Sequence, residues 1–314
     1  MNETDIIERF FQRPSSSPAI VRHIGDDSAV LLPTPDTQLV VTTDCMVEGR
    51  HFSSQSPAHA IGYKLMAVNV SDLAAMGATP RWAMLSLTLS CVDEDWLADF
   101  SCGLFECADR YAIELVGGDL TAGEQLNMNL QLTGEIAIDQ ALLRNNAQVD
   151  DDIYVSGEIG HAGAALKKLI EANYEHSVLN ECEMMALYYP SAQIQLGQGL
   201  CMLAHACIDI SDGLLHELEI ICKQSQLGAE INLEQIKSSP QLDTLQAITL
   251  GDDYQLLFTA GSDMQEQIRQ LAQRLGIVIY KIGRMTQDRL LTIKQHGRVI
   301  ESPRTRGYDH FQQC

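Results

Sequence analysis

The sequence predicts two mixed domains in which helices and strands alternate, of α/β or α+β class. Segments with the apolar periods of helices and of strands follow one another in both halves of the chain. The 314 residues are 46% hydrophobic and 20% charged, which is enough apolar material for two packed cores. The polar, turn-rich stretch "DQALLRNNAQVDDD" separates the halves, so we expect domains at residues 1–138 and 139–314.

One N-terminal helix raises a question about its buried side. Ser56 and Pro57 are suited to begin it, and Gly77 is suited to end it. Within it, apolar residues recur at spacings of four and three, and the next step of four falls on Asp72 instead of an apolar residue. A buried unpaired carboxylate is costly, so Asp72 either reaches solvent at the helix end or faces a cation.

The other N-terminal elements follow from the same patterns. Helices are predicted at 2–12, 57–76 and 93–111, and strands at 38–44, 81–89, 113–119 and 126–138, the third of these ending in a glycine turn.

The C-terminal half repeats the alternation of strand and helix. A strand, a glycine turn and a helix are predicted in 153–170, a strand and a helix in 206–224, a turn and a strand in 251–260, a helix in 264–276 and a strand in 277–285. The glycines of the first turn do not fit G-x-G-x-x-G, so a dinucleotide-binding fold gains little support.

Composition restricts the partners and the compartment. The formal net charge of −21 argues against nucleic-acid and anionic-membrane partners. Nine cysteines without a C-x-x-C pair indicate reduced thiols of a cytoplasmic protein. We expect neither a signal peptide nor a membrane span, because no apolar run approaches about 20 residues.

Aspartates recur where predicted elements begin or end. They are Asp27, Asp44, Asp72, Asp119, Asp209 and Asp212. Any one could be a turn former, and Ser211 could instead cap the helix that Asp212 opens. Together they indicate more, because two carboxylates ~4 Å apart repel by about 4 kcal/mol at an effective dielectric constant of ~20. Oxygen ligands suit Mg²⁺ or Mn²⁺. Several Mg²⁺ ions indicate phosphoryl chemistry, although neither a P-loop nor a protein-kinase motif is present.

The motifs around these aspartates resemble the thiamine-monophosphate kinase family, within the superfamily of aminoimidazole ribonucleotide synthetase. The resemblance spans nearly the whole chain in "IGDDSAVL", "VVTTDCMVEGRHF", "GYKLMAVNVSDLAAMGATP", "LVGGD", "IDISDGL" and "GYDHF". It implies an N-terminal domain whose sheet pairs with its twin in a homodimer, a C-terminal α+β domain, and an active site in the cleft between them.

The resemblance also implies a role for each matching residue. Mg²⁺ would be bound by Asp27, Thr42, Thr43, Asp44, Asp72, Asp119, Asp209 and Asp212. ATP would contact Gly118, Asp119, Arg144 and Ser211, and thiamine monophosphate would contact His51, Asp252 and Tyr308. We expect Asp72 and Asp212 to be catalytic, and the γ-phosphoryl group to pass in line to the substrate phosphate.

Two alternatives remain beside thiamine-monophosphate phosphorylation. One is a sister ATP-dependent synthase of the superfamily, and the other is a non-catalytic protein that binds nucleotide or metal. The family usually has an arginine where this chain has Ala122, and its Gly-Gly-Glu-Asp-Tyr-Glu becomes "LGDDYQ", which changes Leu250, Asp252 and Gln255.

Overall fold

The computed structural model describes residues 1–15, 17–308 and 311, which form two compact units. The N-terminal unit comprises Met1–Leu73, Ala78–Asp139 and Asn173–His176, and the C-terminal unit comprises Ala74–Gly77, Gln140–Ala172 and Ser177–Cys314. The assignment of nucleotide binding and dimerisation to a domain at residues 1–138 stays a prediction.

A four-stranded sheet organises the N-terminal unit. Its strands are β3 (Thr37–Val47), β4 (Thr79–Leu89), β5 (Glu114–Ala122) and β6 (Asn127–Ala137), after a small pair β1 (Ile20–Arg22) and β2 (Val30–Leu31). The order is β3-β6-β4-β5, with only β4 and β5 running parallel. The strand predicted at 113–119 is longer than expected, because β5 continues through both glycines to Ala122. The strand predicted at 38–44 is also longer, because β3 continues past Asp44 to Val47.

Helices cover one face of this sheet. They are α1 (Glu3–Ile6), which continues as a π-helical turn at Ile7–Phe11, α2 (Ala58–Ala75) and α3 (Glu94–Arg110). Helices α2 and α3 pack with their backbones close together, since a Cβ atom added at Gly103 would lie 1.9 Å from the carbonyl oxygen of His59. Nearly every side chain of α2 is buried, including those of the polar residues Lys64, Asn69 and Ser71.

The other face of the N-terminal sheet is open in this chain. Alternate residues point to opposite faces of a strand, and the outward positions include large apolar side chains: Leu39 is 51% exposed, Val41 58% and Met84 42%. The opposite positions of the same strands, such as Leu85 and Leu130, are buried against the helices.

A seven-stranded sheet forms the centre of the C-terminal unit. Its strands are β7 (Asp152–Ser156), β8 (Ala206–Asp209), β9 (Gly228–Asn232), β10 (Leu256–Ala260), β11 (Ile279–Thr286), β12 (Leu291–Gln295) and β13 (Arg298–Ile300). The order is β13-β12-β9-β11-β7-β10-β8, and all neighbours are antiparallel except β9 and β12.

Helices pack on both faces of the seven-stranded sheet. They are α4 (His161–Glu171), α5 (Glu181–Tyr188), α6 (Ile194–Leu200), α7 (Leu214–Ser225), α8 (Thr244–Ala247) and α9 (Gln265–Leu275). The predicted apolar stripe of α7, Leu214, Leu218 and Ile221, is fully buried in one core. Helices α6 and α9 contribute to a second core around the stacked rings of Tyr154 and Phe258. Among the described residues, no helix is long and apolar enough to cross a membrane.

Candidate functional site

Asp72 lies near the end of the buried helix α2, where its carboxylate comes out of the core. It is half-buried, whereas the apolar residues that precede it on the same stripe, Ile61, Leu65 and Val68, are buried. Its Oδ2 accepts a short hydrogen bond from the hydroxyl of Thr42 on β3. The carboxylate therefore faces the middle of β3, beside a hydroxyl oxygen that can also contact a cation.

The three consecutive residues Thr42, Thr43 and Asp44 divide between the two faces of β3. Strand alternation places Thr42 and Asp44 on the face of Asp72, and Thr43 on the open face. There the Thr43 hydroxyl donates to Oδ1 of Asn129 over 3.0 Å. The pKa of the neighbouring Cys45 thiol is raised, first by burial and second by the negative charge of Asp44.

Gly118 and Asp119 occupy the middle of β5. Gly118 has φ +153°, and a Cβ atom there would lie 1.8 Å from the carbonyl oxygen of Leu85 on β4. Only glycine permits the two strands to pair this closely. Asp119 is exposed and in register with Ser86, whose side chain lies on the open face.

Asp27 and His51 lie in loops of the N-terminal unit. Asp27 is exposed, and its backbone N–H donates to the carboxylate of Asp26 over 3.0 Å. Nδ1 of His51 accepts a hydrogen bond from the backbone N–H of Val47 over 3.0 Å, in the turn that follows β3. Because that nitrogen is an acceptor, the neutral ring carries its proton on Nε2.

In the C-terminal unit, β8 and β10 are neighbouring strands, and the loop that follows β8 lies beside the loop that precedes β10. Asp209 ends β8 and is buried. Beyond it the strand pairing continues, since the N–H of Asp252 donates to the carbonyl of Ser211 over 2.7 Å and that of Tyr254 to Ile210 over 2.8 Å. This pairing fixes Ser211 and Asp252 beside each other.

The turn that carries Asp252 is strained. Asp252 and Tyr254 have φ values of 67° and 50°, which are uncommon for residues other than glycine. The Tyr254 hydroxyl donates to Oδ1 of Asp252 over 2.8 Å, and Oδ1 of Asp253 accepts from the backbone N–H of Gly160 over 2.7 Å. Oδ2 of Asp253 is buried and has no partner among the described residues, and burial raises the pKa of this carboxyl well above its usual range.

Two further predicted residues, Tyr308 and Arg144, belong to the C-terminal unit. The backbone N–H of Tyr308 donates to the carbonyl of Asp212 over 2.9 Å, which brings Tyr308 to the loop after β8. Arg144 is exposed, and its positive charge acts to lower the pKa of Glu217.

Asp212 lies within a group of titratable side chains that sequence reasoning missed in part. Ligand atoms of Asp212, His216 and Glu217 lie within 4.8 Å of one another, and no other such group of three occurs in the part of the chain that the structure describes. The pKa of Glu217 is raised, mainly by burial and in addition by the negative charge of Asp212. Helix α7 has Gly213 as its N-cap, so the alternative in which Ser211 caps the helix is wrong.

Comparison with known proteins decides the family. The chain matches the N-terminal domain of AIR synthase related protein over residues 25–136 and its C-terminal domain over residues 148–295. Thiamine-monophosphate kinase of Escherichia coli (strain K12) is 37% identical over 322 residues, which cover 98% of each protein. The chain belongs to the thiamine-monophosphate kinase family.

Solved structures of the thiamine-monophosphate kinase family share the whole fold. The crystal structure of thiamine-monophosphate kinase from Stenotrophomonas maltophilia K279a is 36% identical, has a TM-score of 0.83, and matches over 95% of this chain and 96% of that one. The structure of AaThiL complexed with AMPPCP and TMP is 28% identical, with a TM-score of 0.77 and 92% of both chains covered. The predicted family, the predicted fold and the predicted enzyme class, a thiamine-phosphate kinase, are therefore confirmed.

The residues at which this chain departs from the usual motifs of the thiamine-monophosphate kinase family do not share one environment. Ala122 is exposed at the end of β5. Leu250 packs beside helix α4, since a Cβ atom added at Gly163 would lie 2.7 Å from the Cβ of Leu250. Oε1 of Gln255 accepts a hydrogen bond from Ser156 over 2.8 Å. Of these three side chains, only Ala122 is exposed.

Proposed function

We propose that this chain transfers the γ-phosphoryl group of ATP to thiamine monophosphate and so forms thiamine diphosphate. The observation that carries the proposal is the match over 92% of the chain to AaThiL, a structure that contains both the ATP analogue AMPPCP and TMP. Close identity to the Escherichia coli thiamine-monophosphate kinase over nearly the full length adds support.

The donor chemistry fits Mg²⁺. Carboxylate and hydroxyl oxygens are the ligands that Mg²⁺ prefers, and Thr42, Asp44 and Asp72 offer such oxygens on one face of β3. We propose that these three residues bind Mg²⁺. We propose the same role for Asp27, Thr43 and Asp119 of the N-terminal unit and for Asp209 and Asp212 of the C-terminal unit. Bound Mg²⁺ would neutralise charge on the ATP phosphates.

The chain's own groups would hold the two substrates. We propose that Gly118, Asp119, Arg144 and Ser211 contact ATP. His51, Asp252 and Tyr308 would contact thiamine monophosphate, with Nε2–H of His51 donating to a phosphate oxygen. The backbone hydrogen bond from Asp252 to Ser211 supports this arrangement. It holds one proposed ATP contact and one proposed thiamine-monophosphate contact at a fixed separation.

The proposed transfer is a direct in-line displacement. A phosphate oxygen of thiamine monophosphate forms a bond to the γ-phosphorus, and the bond from that phosphorus to the β–γ bridging oxygen breaks, releasing ADP. The attacking oxygen is already ionised at neutral pH, so no strong general base is needed. The protein's contribution is positioning and charge neutralisation, for which we propose Asp72 and Asp212 as the principal carboxylates.

We also propose a cytoplasmic homodimer. The open apolar positions of the N-terminal sheet, Leu39, Val41 and Met84, support pairing with a second copy.

A coupled assay of ADP release, with and without thiamine monophosphate, tests the function. We expect ADP to form only when the acceptor and Mg²⁺ are both present. Turnover that requires a different acceptor would indicate the sister synthase, and binding of AMPPCP without turnover of any acceptor would indicate a non-catalytic protein.

A further inference from the structure

Glu217 is a buried carboxylate that contacts the loop after β8 from inside the unit. Its side chain belongs to helix α7 and the residue is 3% exposed. Its Oε1 lies 3.3 Å from the hydroxyl oxygen of Ser211 and 3.3 Å from the backbone nitrogen of Asp212. One oxygen atom therefore connects two adjacent residues that the proposed function assigns to ATP and to Mg²⁺.

The direction of these hydrogen bonds follows from their partners. A backbone N–H can only donate, so Oε1 of Glu217 is an acceptor. This holds in both protonation states of Glu217, because a proton on the carboxyl would be carried by Oε2. The single hydroxyl proton of Ser211 is thus directed at Oε1, and the lone pairs of its oxygen point away from Glu217.

We propose that Glu217 is a positioning residue that makes Ser211 a hydrogen-bond acceptor toward the nucleotide. Ser211 then offers lone pairs to an N–H or O–H donor of the nucleoside, or to a cation or its bound water. It does not donate to a phosphate oxygen. The inference rests on the proposed contact between Ser211 and ATP, and it adds the polarity of that contact and the residue that sets it.

Two substitutions at Glu217 separate its acceptor atom from its charge. Glu217→Gln keeps a carbonyl oxygen, which the N–H of Asp212 holds in the Oε1 position, so both hydrogen bonds survive. Glu217→Met keeps the length of the side chain but leaves both donors without an acceptor. We expect AMPPCP with Mg²⁺ to bind Glu217→Gln within about three-fold of the wild type, and Glu217→Met about ten-fold more weakly.

Glu183 provides a matched control in the same unit. It is also a buried carboxylate, and it accepts hydrogen bonds from Lys168, Asn180 and Gln241, away from the loop after β8. Glu183→Met should lower the melting temperature at least as much as Glu217→Met, and should leave the Kd for AMPPCP unchanged.

The measurement is isothermal titration calorimetry of AMPPCP with Mg²⁺ on the full chain, with melting temperatures of each variant. A double variant that adds Ser211→Ala to Glu217→Met should bind no more weakly than the weaker single variant, because both remove the same contact. Equal losses for Glu217→Gln and Glu217→Met would overturn the proposal, since the charge would then matter instead of the acceptor. Equal losses for Glu183→Met and Glu217→Met would overturn it as well, because the role would be purely structural.

The experiments distinguish failure of the proposed function from failure of the inference about Glu217. A wild-type chain that binds AMPPCP but phosphorylates no thiamine monophosphate would contradict the proposed function, and the comparison of the Glu217 variants would still decide this inference. A wild-type chain that does not bind AMPPCP would contradict both.

Discussion

Replacing Gly118 by alanine should separate β5 from β4 and misplace Asp119. The new Cβ atom would lie 1.8 Å from the carbonyl oxygen of Leu85 and 2.7 Å from its carbonyl carbon, both of which are backbone atoms. An ordinary contact of this kind needs more than 3 Å, so the strands must part by more than 1 Å. Overpacking of this kind costs about 1 to 3 kcal/mol, and the φ of +153° adds strain for any side chain.

The neighbouring glycine supplies the control. A Cβ atom at Gly117 would meet only the flexible end of Met84, at 3.4 Å. For a loss of about 3 kcal/mol, Gly118→Ala should melt about 6 to 12 °C below the wild type, whereas Gly117→Ala should melt within a few degrees of it.

Activity should follow the same contrast. Because a shift of about 1 Å at a binding group can reduce turnover by about 100-fold, Gly118→Ala should lose most of its activity and Gly117→Ala should keep it. Differential scanning fluorimetry and the ADP-release assay measure the two effects. Equal melting temperatures and equal turnover for the two variants would refute the reasoning.

Four further outcomes are expected. Asp72→Asn keeps an acceptor for Thr42, so it should fold normally while kcat falls by about 100-fold or more; full turnover in an Mg²⁺ titration would refute its assigned role. Hydrogen bonds from Lys168 and two amide groups lower the pKa of Glu183 from 4.5 to about 2. The ionised carboxylate therefore stabilises the fold above pH 4.5, and this stabilisation is lost as the pH falls toward 2. Glu183→Gln should abolish that part of the pH dependence of unfolding in urea titrations, and an unchanged pH profile would contradict this expectation. Ala122→Arg should lower the KM for ATP or for thiamine monophosphate, and two unchanged constants would show that another group fills that role. Mg²⁺ with AMPPCP should raise the melting temperature more than either alone, and identical melting curves would exclude the proposed metal site.

Helices and strands with a clear apolar period could be predicted from the sequence, whereas strand ends that depend on pairing with a neighbouring strand could not. Helix Ala58–Ala75 lies within one residue of its predicted bounds, because caps and apolar spacing are local signals. Helix Glu181–Tyr188 was missed, since no clear apolar stripe distinguishes it. The close pairing of β5 with β4 at Gly118 involves the carbonyl of Leu85. The local sequence pattern does not predict this tertiary contact.

The candidate site divides in the same way. The family motifs supplied the candidate residues, but the expectation that Asp44 and Asp119 lie at strand ends is wrong. Both lie inside strands, because pairing with β6 and β4 carries β3 to Val47 and β5 to Ala122. Glu217 was missed because its role depends on its burial and on the direction of two hydrogen bonds. Its position five residues after Asp212, in the first turns of a predicted helix, was the only available signal.

The fate of the labelled γ-phosphoryl group tests the central claim most directly. The protein is incubated with γ-labelled ATP and Mg²⁺, with and without thiamine monophosphate, and quenched in acid. Direct transfer predicts label in thiamine diphosphate when the acceptor is present and no label on the protein when it is absent, because metal-bound aspartates are poor nucleophiles. Stoichiometric label on the protein that hydroxylamine releases would instead show an aspartyl-phosphate intermediate, and label that never reaches thiamine diphosphate would contradict the proposed function itself.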